Sequence, residues 1–223
     1  AHDLHEEVTG MNEFKSWSND TLGAKTVQAL EKNYFASSYA KTKQEAVEQI
    51  LALIPEGATI GVGGSWTVGQ LGVLAELEKR GHVIYNHGKP GLSPEEALAA
   101  RRAQLTCDVF LCGTNALTLD GKLVNVDGIG NRVASMMFGP KQVIVAAGVN
   151  KIVRNVEEAE KRIELLAAPI NNKRLNRPNP CTTTGMCMDC QLPTRICNIT
   201  TIIRKRPTLT PMNVIVIGEE LGF

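Results

Sequence analysis

The feature that most constrains the fold is a repeated exchange between short apolar, β-branched runs and amphipathic stretches, punctuated by Gly, Pro and Asn. Thr59–Val62, His82–Tyr85, Val109–Leu111 and Gln142–Ala147 read as strands, the last being the strongest. Between them, Thr67–Arg80 carries Val68, Leu71, Val73, Leu74 and Leu77 at helical spacing. A second helix opens at Ser93-Pro94-Glu95-Glu96, with a capping hydroxyl, a first-turn proline and acids at the positive end of the dipole, and ends near Arg102. Ala116–Thr118 and Leu123–Val126 flank Asp120-Gly121 as a hairpin, and Gly130-Asn131-Arg132 starts a helix to about Phe138. Asn155–Leu166 is helical, with Val156, Ala159, Ile163 and Leu166 on one face, and Asn213–Ile217 reads as a last strand. Strands alternating with helices imply crossover connections. The expected fold is therefore α/β: three layers, a mainly parallel twisted sheet with helices on both faces.

A chain of 223 residues suits one domain with an appended element. Residues 1–42 are expected to form an N-terminal helical segment, with Asp20-Thr21 capping Leu22–Tyr34. Residues 43–223 form the α/β domain, including a Cys-rich insert over 171–206 that ends in Ile199–Ile203. With 24 basic and 23 acidic residues, no global charge argues for nucleic acid or membrane. The longest uncharged stretch, Gly57–Ala75, is broken by six glycines and polar residues, so it does not read as a membrane span. Ala1–Gly10 matches neither a secretory nor a transit leader, which makes a cytoplasmic location the expectation; no function is placed on His2 or His5.

The loops supply the candidate chemistry. Gly61-Val62-Gly63-Gly64-Ser65-Trp66-Thr67 joins a strand to a helix, so the backbone N–H groups at Gly63 and Gly64 and the hydroxyls of Ser65 and Thr67 can face an anion. Trp66 stands where the dinucleotide fingerprint needs its last glycine, and the Walker lysine is absent; the alternative is a plain tight turn. His87, beyond a strand end, is the candidate proton-exchanging group, unless it is simply solvated. Asp127 offers a carboxylate and Arg132 a bidentate grip on a substrate carboxylate. The competing reading makes them a structural pair, with Asn131 capping the helix. Lys151 can reach an anion or stand as a surface charge, and Thr114-Asn115 line the same cleft.

Four of six cysteines, Cys181, Cys187, Cys190 and Cys197, follow the spacing C-x5-C-x2-C-x6-C. Thiolates so arranged can wrap one iron–sulfur cluster or one zinc; free or redox-responsive thiols are the other reading. Lys173, Arg174, Arg177, Arg195, Arg204, Lys205 and Arg206 face one acid, Asp189, in this segment, which suits an anionic thiolate centre. The stretch has no aromatic residue for base stacking, so nucleic acid is not the expected partner. Cys107 and Cys112 border a buried strand and read as core.

Three stretches carry a family resemblance: Glu95-Glu96 through Arg101-Arg102; Gly113-Thr114-Asn115-Ala116-Leu117-Thr118-Leu119-Asp120-Gly121; and Asp127-Gly128-Ile129-Gly130-Asn131-Arg132-Val133-Ala134. Here the sequence resembles the LUD-domain family of lactate-utilisation proteins (lactate-utilisation protein C-like) over roughly Lys43–Val153, with further likeness in Cys187–Cys197. The resemblance implies the sugar-phosphate isomerase and CoA-transferase fold. It also implies a role in using lactate or a related 2-hydroxy acid within an iron–sulfur-linked system of several proteins, any flavin residing on a partner. Such a chain would bind a small carboxylate or phosphorylated metabolite and act with redox partner proteins, and is compatible with a homo-oligomer. Asn115 stands where certain isomerases of this fold carry an acid, and a carboxamide cannot exchange a proton there. An isomerase or acyl/CoA transferase would draw its carboxylate from Asp127, Glu95 or Glu96. A non-catalytic assembly subunit with a structural metal is the third class.

Overall fold

The structure is a computed structural model describing the backbone of residues 4–223 and the side chains of residues 12–223; His2 and His5 lie outside the described side chains. In chain order come α1 (Leu4–Lys32), β1 (Ala36–Ala40), α2 (Lys43–Leu53), β2 (Ile60–Val62), α3 (Trp66–Leu71), α4 (Val73–Lys79), β3 (Ile84–Tyr85), α5 (Pro94–Gln104) and β4 (Val109–Gly113). Then follow β5 (Ala116–Thr118), β6 (Leu123–Asp127), α6 (Asn131–Met137), β7 (Gln142–Gly148), β8 (Ile152–Val153), α7 (Val156–Arg162), α8 (Ala168–Arg174), α9 (Cys181–Thr184), β9 (Ile199–Ile203) and β10 (Met212–Ile217).

Six strands form a wholly parallel sheet in the order β1-β10-β7-β4-β2-β3. Strand parity divides its side chains between two cores. Val109, Leu111, Ile144, Ala146, Ile215 and Ile217 meet Ile50 of α2, Val68 of α3, and Val73 and Leu77 of α4. Phe110, Val143, Val145, Val214 and Val216 meet Leu30 of α1 and Met136 of α6. Burial on both faces is why these strands read as continuous apolar runs rather than alternating ones, each such side chain contributing about 1.5–3 kcal/mol. A smaller mixed sheet, β8-β5-β6-β9, packs Leu117, Leu123 and Ile203 against the second core. The hairpin forms as read, Ala116 opposite Val124, and β9 pairs antiparallel with β6, tying the Cys-rich insert into this sheet. The architecture is the expected three-layer α/β fold. No helix among the described residues is long and apolar enough to cross a membrane.

Four local expectations are corrected. The first helix runs straight through Asp20-Thr21, so Asp20 caps nothing; its carboxylate accepts from the Tyr39 hydroxyl at 2.7 Å. Ala36–Ala40, inside the segment expected to be helical, is an edge strand paired only with β10. Thr67–Arg80 breaks at Gly72, whose φ of +70° starts α4 afresh. The helix from Asn155 continues past Leu166 through a π turn at Ile163–Ala167 into α8. Here the Ala168 N–H donates to Ile163 O, five residues back, and the next donor would be residue 169, which is proline. That wide turn is how the helix accommodates Pro169.

Candidate functional site

The sheet order contains a reversal. From β2 the chain crosses to β3 on one side, and from β4 it crosses to β7 on the other. A crevice opens at such a switch point, outside the carboxyl ends of the strands, and ligands of open α/β sheets bind there. In this chain it lies between the Gly63–Thr67 loop and Thr114-Asn115, with Lys151 following β7 on one flank and His87 following β3 on the other. A Cβ on Gly113 would stand 2.6 Å from Ser65 Oγ, so the glycine lets the loop lie against β4. Ser65 Oγ is itself engaged, accepting from Val68 N–H as the cap of α3.

Thr114-Asn115 is the hub of a polar cluster. The Lys151 ammonium, 4% exposed, donates to Thr67 Oγ1 at 2.8 Å and Thr114 O at 3.1 Å. Burial first, then repulsion from Arg162 and Arg132, push its pKa down to about 7. Arg162 donates from Nη1 to Asn115 O at 2.8 Å and from Nε to Asn150 O at 3.1 Å, while its buried Nη2 has no partner. Arg132 is saturated. Its Nε and Nη2 serve Asp127 Oδ1, Nη1 serves Gly113 O and Asn125 Oδ1, and Nη2 also meets Asn115 Oδ1 and Val126 O. Asp127 is equally occupied, its Oδ2 accepting from Val133 N–H at the start of α6. The helix is thus capped by Asp127, not by Asn131, whose N-cap neighbour is Gly130. Asn125, fully buried, leaves Nδ2 without a partner. In this cluster three cations face one carboxylate and two buried N–H groups, on Arg162 Nη2 and Asn125 Nδ2, lack acceptors among the described residues; a third, Arg101 Nε, lies on the His87 flank.

On the other flank, His87 Nδ1 lies 2.9 Å from Gln104 Nε2, which also serves Val62 O and Tyr85 O. The other ring nitrogen, Nε2, is the one nearest Gly64. Burial and the neighbouring Arg101 lower the His87 pKa. The ring is therefore neutral at pH 7.

The four cysteines of the insert line one cavity of about 20 Å³, together with Ala168, Asn172, Met188 and Arg195. Burial raises Cys181, and pushes Cys197 up to about 11, with the neighbouring thiols adding to both. Among the described residues no three His, Cys, Asp or Glu side chains are set as ligands around a single ion. The donor set nonetheless suits a thiolate-bound metal or cluster, which would displace the thiol protons and draw the loop in around itself. Four contacts fix that loop: Cys187 N–H donates to Glu164 O at 2.9 Å, Asp189 N–H to Cys187 Sγ at 3.4 Å, and Arg195 to both Cys197 O and Cys190 O. The seven basic residues of the segment do not form one patch. Arg195 lines the cavity, Arg174 lies over the Trp66 ring, and Lys205 and Arg206 sit at Tyr34, beyond the far end of β9. Cys107 and Cys112 are core thiols, pushed by burial to about 11 and about 12.

A family model described as the LUD domain matches residues 23–217. The chain belongs to the LUD-domain family. At the level of the family it is a protein of the lactate-utilisation type. Among solved structures it is similar to a DUF162 family protein from Deinococcus radiodurans, at 13% identity and a TM-score of 0.48, over 89% of this chain and 98% of that one. No curated protein matches it.

Within this LUD domain, the crevice brings together Gly63, Gly64, Ser65, Thr67, Thr114, Asn115, Arg132, Asp127 and Lys151, with His87 at its edge and Asn131 outside the cluster; two groups expected to face an anion are spent, the Gly63 N–H donating to Leu111 O at 3.0 Å and the Thr67 hydroxyl to Leu221 O at 3.3 Å. Sequence reasoning missed Arg162, Asn125 and Gln104. Arg162 lies on a helix treated only as an apolar stripe, and the other two are polar residues wholly buried at the end of α5 and the middle of β6. A polar residue interrupting the apolar run Leu123–Val126 was the one available signal.

Proposed function

We propose that this LUD domain binds a small anionic metabolite, lactate or a related 2-hydroxy acid, at the Thr114-Asn115 hub, and that its four insert cysteines hold a redox metal group, an iron–sulfur cluster before zinc. The observation that carries the first half is the imbalance of the hub: buried cations and unpartnered N–H donors in excess of acceptors. A carboxylate or phosphate supplies the missing acceptors. Arg132 has no N–H to spare, so the grip on the anion falls to Arg162 Nη2 and Lys151, with Arg132 and Asp127 holding Asn115 and Asn125 in place. His87, uncharged and with Nε2 turned to the loop, takes the metabolite's hydroxyl proton on that nitrogen. Asp127, with both oxygens engaged, is a poor general base, which weighs against an isomerase.

The cysteine half rests on four thiols sharing one cavity. An iron–sulfur group held there would pass electrons singly, so a two-electron oxidation requires a partner protein carrying a flavin. The test has two arms on protein purified without oxygen. Calorimetric titration with lactate, and separately with inorganic phosphate, is expected to show binding that Arg162→Met weakens about 10- to 100-fold, the worth of one charge-assisted hydrogen bond. Absence of binding by either anion would overturn the first half. Iron and acid-labile sulfide in stoichiometric amount support the second half, zinc alone makes the insert structural, and no metal of either kind removes the redox reading.

A further inference from the structure

Within the cysteine segment, one side chain does more than line the cavity. Arg195 donates from Nε to Cys197 O at 3.0 Å and from Nη1 to Cys190 O at 2.9 Å, so a single guanidinium ties together the third and fourth cysteines across the turn between them. The same Nη1 meets Asp189 Oδ1 at 2.6 Å. Asp189 sits between Cys187 and Cys190 with φ +44°, a left-handed conformation that aspartate adopts with less strain than most residues. That conformation turns its own N–H toward Cys187 Sγ at 3.4 Å. Backbone, carboxylate and guanidinium thus form one chain of contacts touching Cys187, Cys190 and Cys197. Asp189 is largely exposed and Arg195 about a quarter exposed, so as a surface ion pair they would be worth little. The two carbonyl bonds and the amide-to-sulfur bond give the pair a purpose beyond stability.

We propose that Arg195 and Asp189 are positioning residues for the thiolate centre. Arg195 fixes the spacing of Cys190 and Cys197 and places a positive charge beside the bound group, while Asp189 holds that guanidinium in place and steers an N–H onto the Cys187 sulfur. The inference rests on the reading of the insert as a metal-binding segment. Lysine at 195 keeps the charge but not the planar fork that reaches two carbonyls. Asparagine at 189 keeps both the tolerance of positive φ and an acceptor for Arg195, whereas alanine keeps neither.

The test uses the full chain and two readouts besides activity. In the first, wild type, Arg195→Gln, Arg195→Lys, Asp189→Ala and Asp189→Asn are loaded with Zn²⁺, and separately with ferrous iron and sulfide without oxygen, and the metal is withdrawn by a competing chelator. Arg195→Gln and Asp189→Ala are expected to hold it about 10- to 100-fold more weakly, the usual worth of a residue that orients ligands. Arg195→Lys should fall between, and Asp189→Asn should stay near wild type. Affinity in Arg195→Gln within about twofold of wild type overturns the proposal. In the second readout, metal-free chains are alkylated and the modified cysteines mapped. Faster labelling of Cys190 and Cys197 in Arg195→Gln, with Cys107 and Cys112 still protected, supports the clamp and shows that the domain is folded; unchanged labelling overturns it. A wild-type chain that takes up no metal defeats the function proposed for the insert and the charge role of Arg195, and the labelling result then decides the clamp alone.

Discussion

The buried amine of Lys151 makes a prediction whose sign and size follow from its surroundings. Desolvation, Arg162 and Arg132 bring its pKa down to about 7 in the folded chain, against 10.5 for a free side chain. Between those values the unfolded chain holds a proton that the folded chain has released, so stability rises with pH across this window and flattens below pH 7, where both states are protonated. Integrating that linkage gives wild type on the order of 1–2 kcal/mol from pH 6 to pH 8 and roughly 2–3 kcal/mol by pH 9. Lys151→Met has a side chain of similar length and no proton to lose. It removes this slope while sacrificing the bonds to Thr67 and Thr114, worth roughly 1–3 kcal/mol together. The measured quantity is the difference in urea unfolding free energy between wild type and Lys151→Met at pH 6, 7, 8 and 9, in which the titration of the cysteines cancels. The variant should look best at pH 6 and lose ground steadily as pH climbs. A difference that stays constant within about 0.5 kcal/mol, the usual error of additivity, would refute the reasoning, because the amine would then be charged and compensated in the folded protein.

Other substitutions probe the frame around that amine. Arg132→Met strands the buried Asp127 carboxylate and should cost about 3–5 kcal/mol in chemical denaturation, with Asp127→Asn recovering part of the loss in the double variant. Gly113→Ala drives a methyl group into Ser65 Oγ and should cost about 1–3 kcal/mol, seen as a lower thermal midpoint. At pH 8, phosphate bound near Lys151 should restore the ammonium, so calorimetry in buffers of different ionisation enthalpy should register proton uptake. Pro169→Ala returns an N–H to the helix and should close the π turn; the readout is loss of hydrogen-exchange protection at the Cys187 amide, whose acceptor Glu164 O would regain a donor within the helix.

Periodicity made the main sheet legible because β4, β7 and β10 bury both faces and therefore are apolar almost throughout, with Gln142 and Asn213 the polar exceptions. β1 escaped because an edge strand paired on one side tolerates Ser37 and Ser38, so its residues resemble a loop. The breaks at Gly72 and Pro169 were visible as residues, but helix periodicity continues across both and masks the change of backbone. The site divides in the same way. Loop residues at strand ends were found from chain position alone. Whether Arg132 is free or spent depends on five acceptor atoms scattered over Gly113, Asn115 and Asn125–Asp127, which only the fold brings together. Arg162 is the converse case, a charge on a helix that reads as solvated until Asn115 O is seen beneath it.

The two halves of the proposed function meet on one helix. Arg162, at the end of α7, reaches the crevice through Asn115; Glu164, two residues later, offers its carbonyl to Cys187; Ala168 and Asn172 of α8 line the cysteine cavity. An uninterrupted α-helix would bond Glu164 O to the N–H of residue 168 and leave nothing for the insert. The Ala168 N–H goes instead to Ile163 O, and Pro169 has no N–H to give, so the Glu164 carbonyl is left open within the helix and the cysteine loop fills it. The proline that looks like a helix terminator in the sequence is therefore the reason the insert has a fixed attachment point. It also places that attachment within one turn of the cation that completes the crevice. A shift of this helix along its axis would alter the Arg162–Asn115 contact and the Glu164–Cys187 contact together, which makes it the element through which loading of the thiols and occupancy of the crevice would influence each other, each to the same factor in affinity.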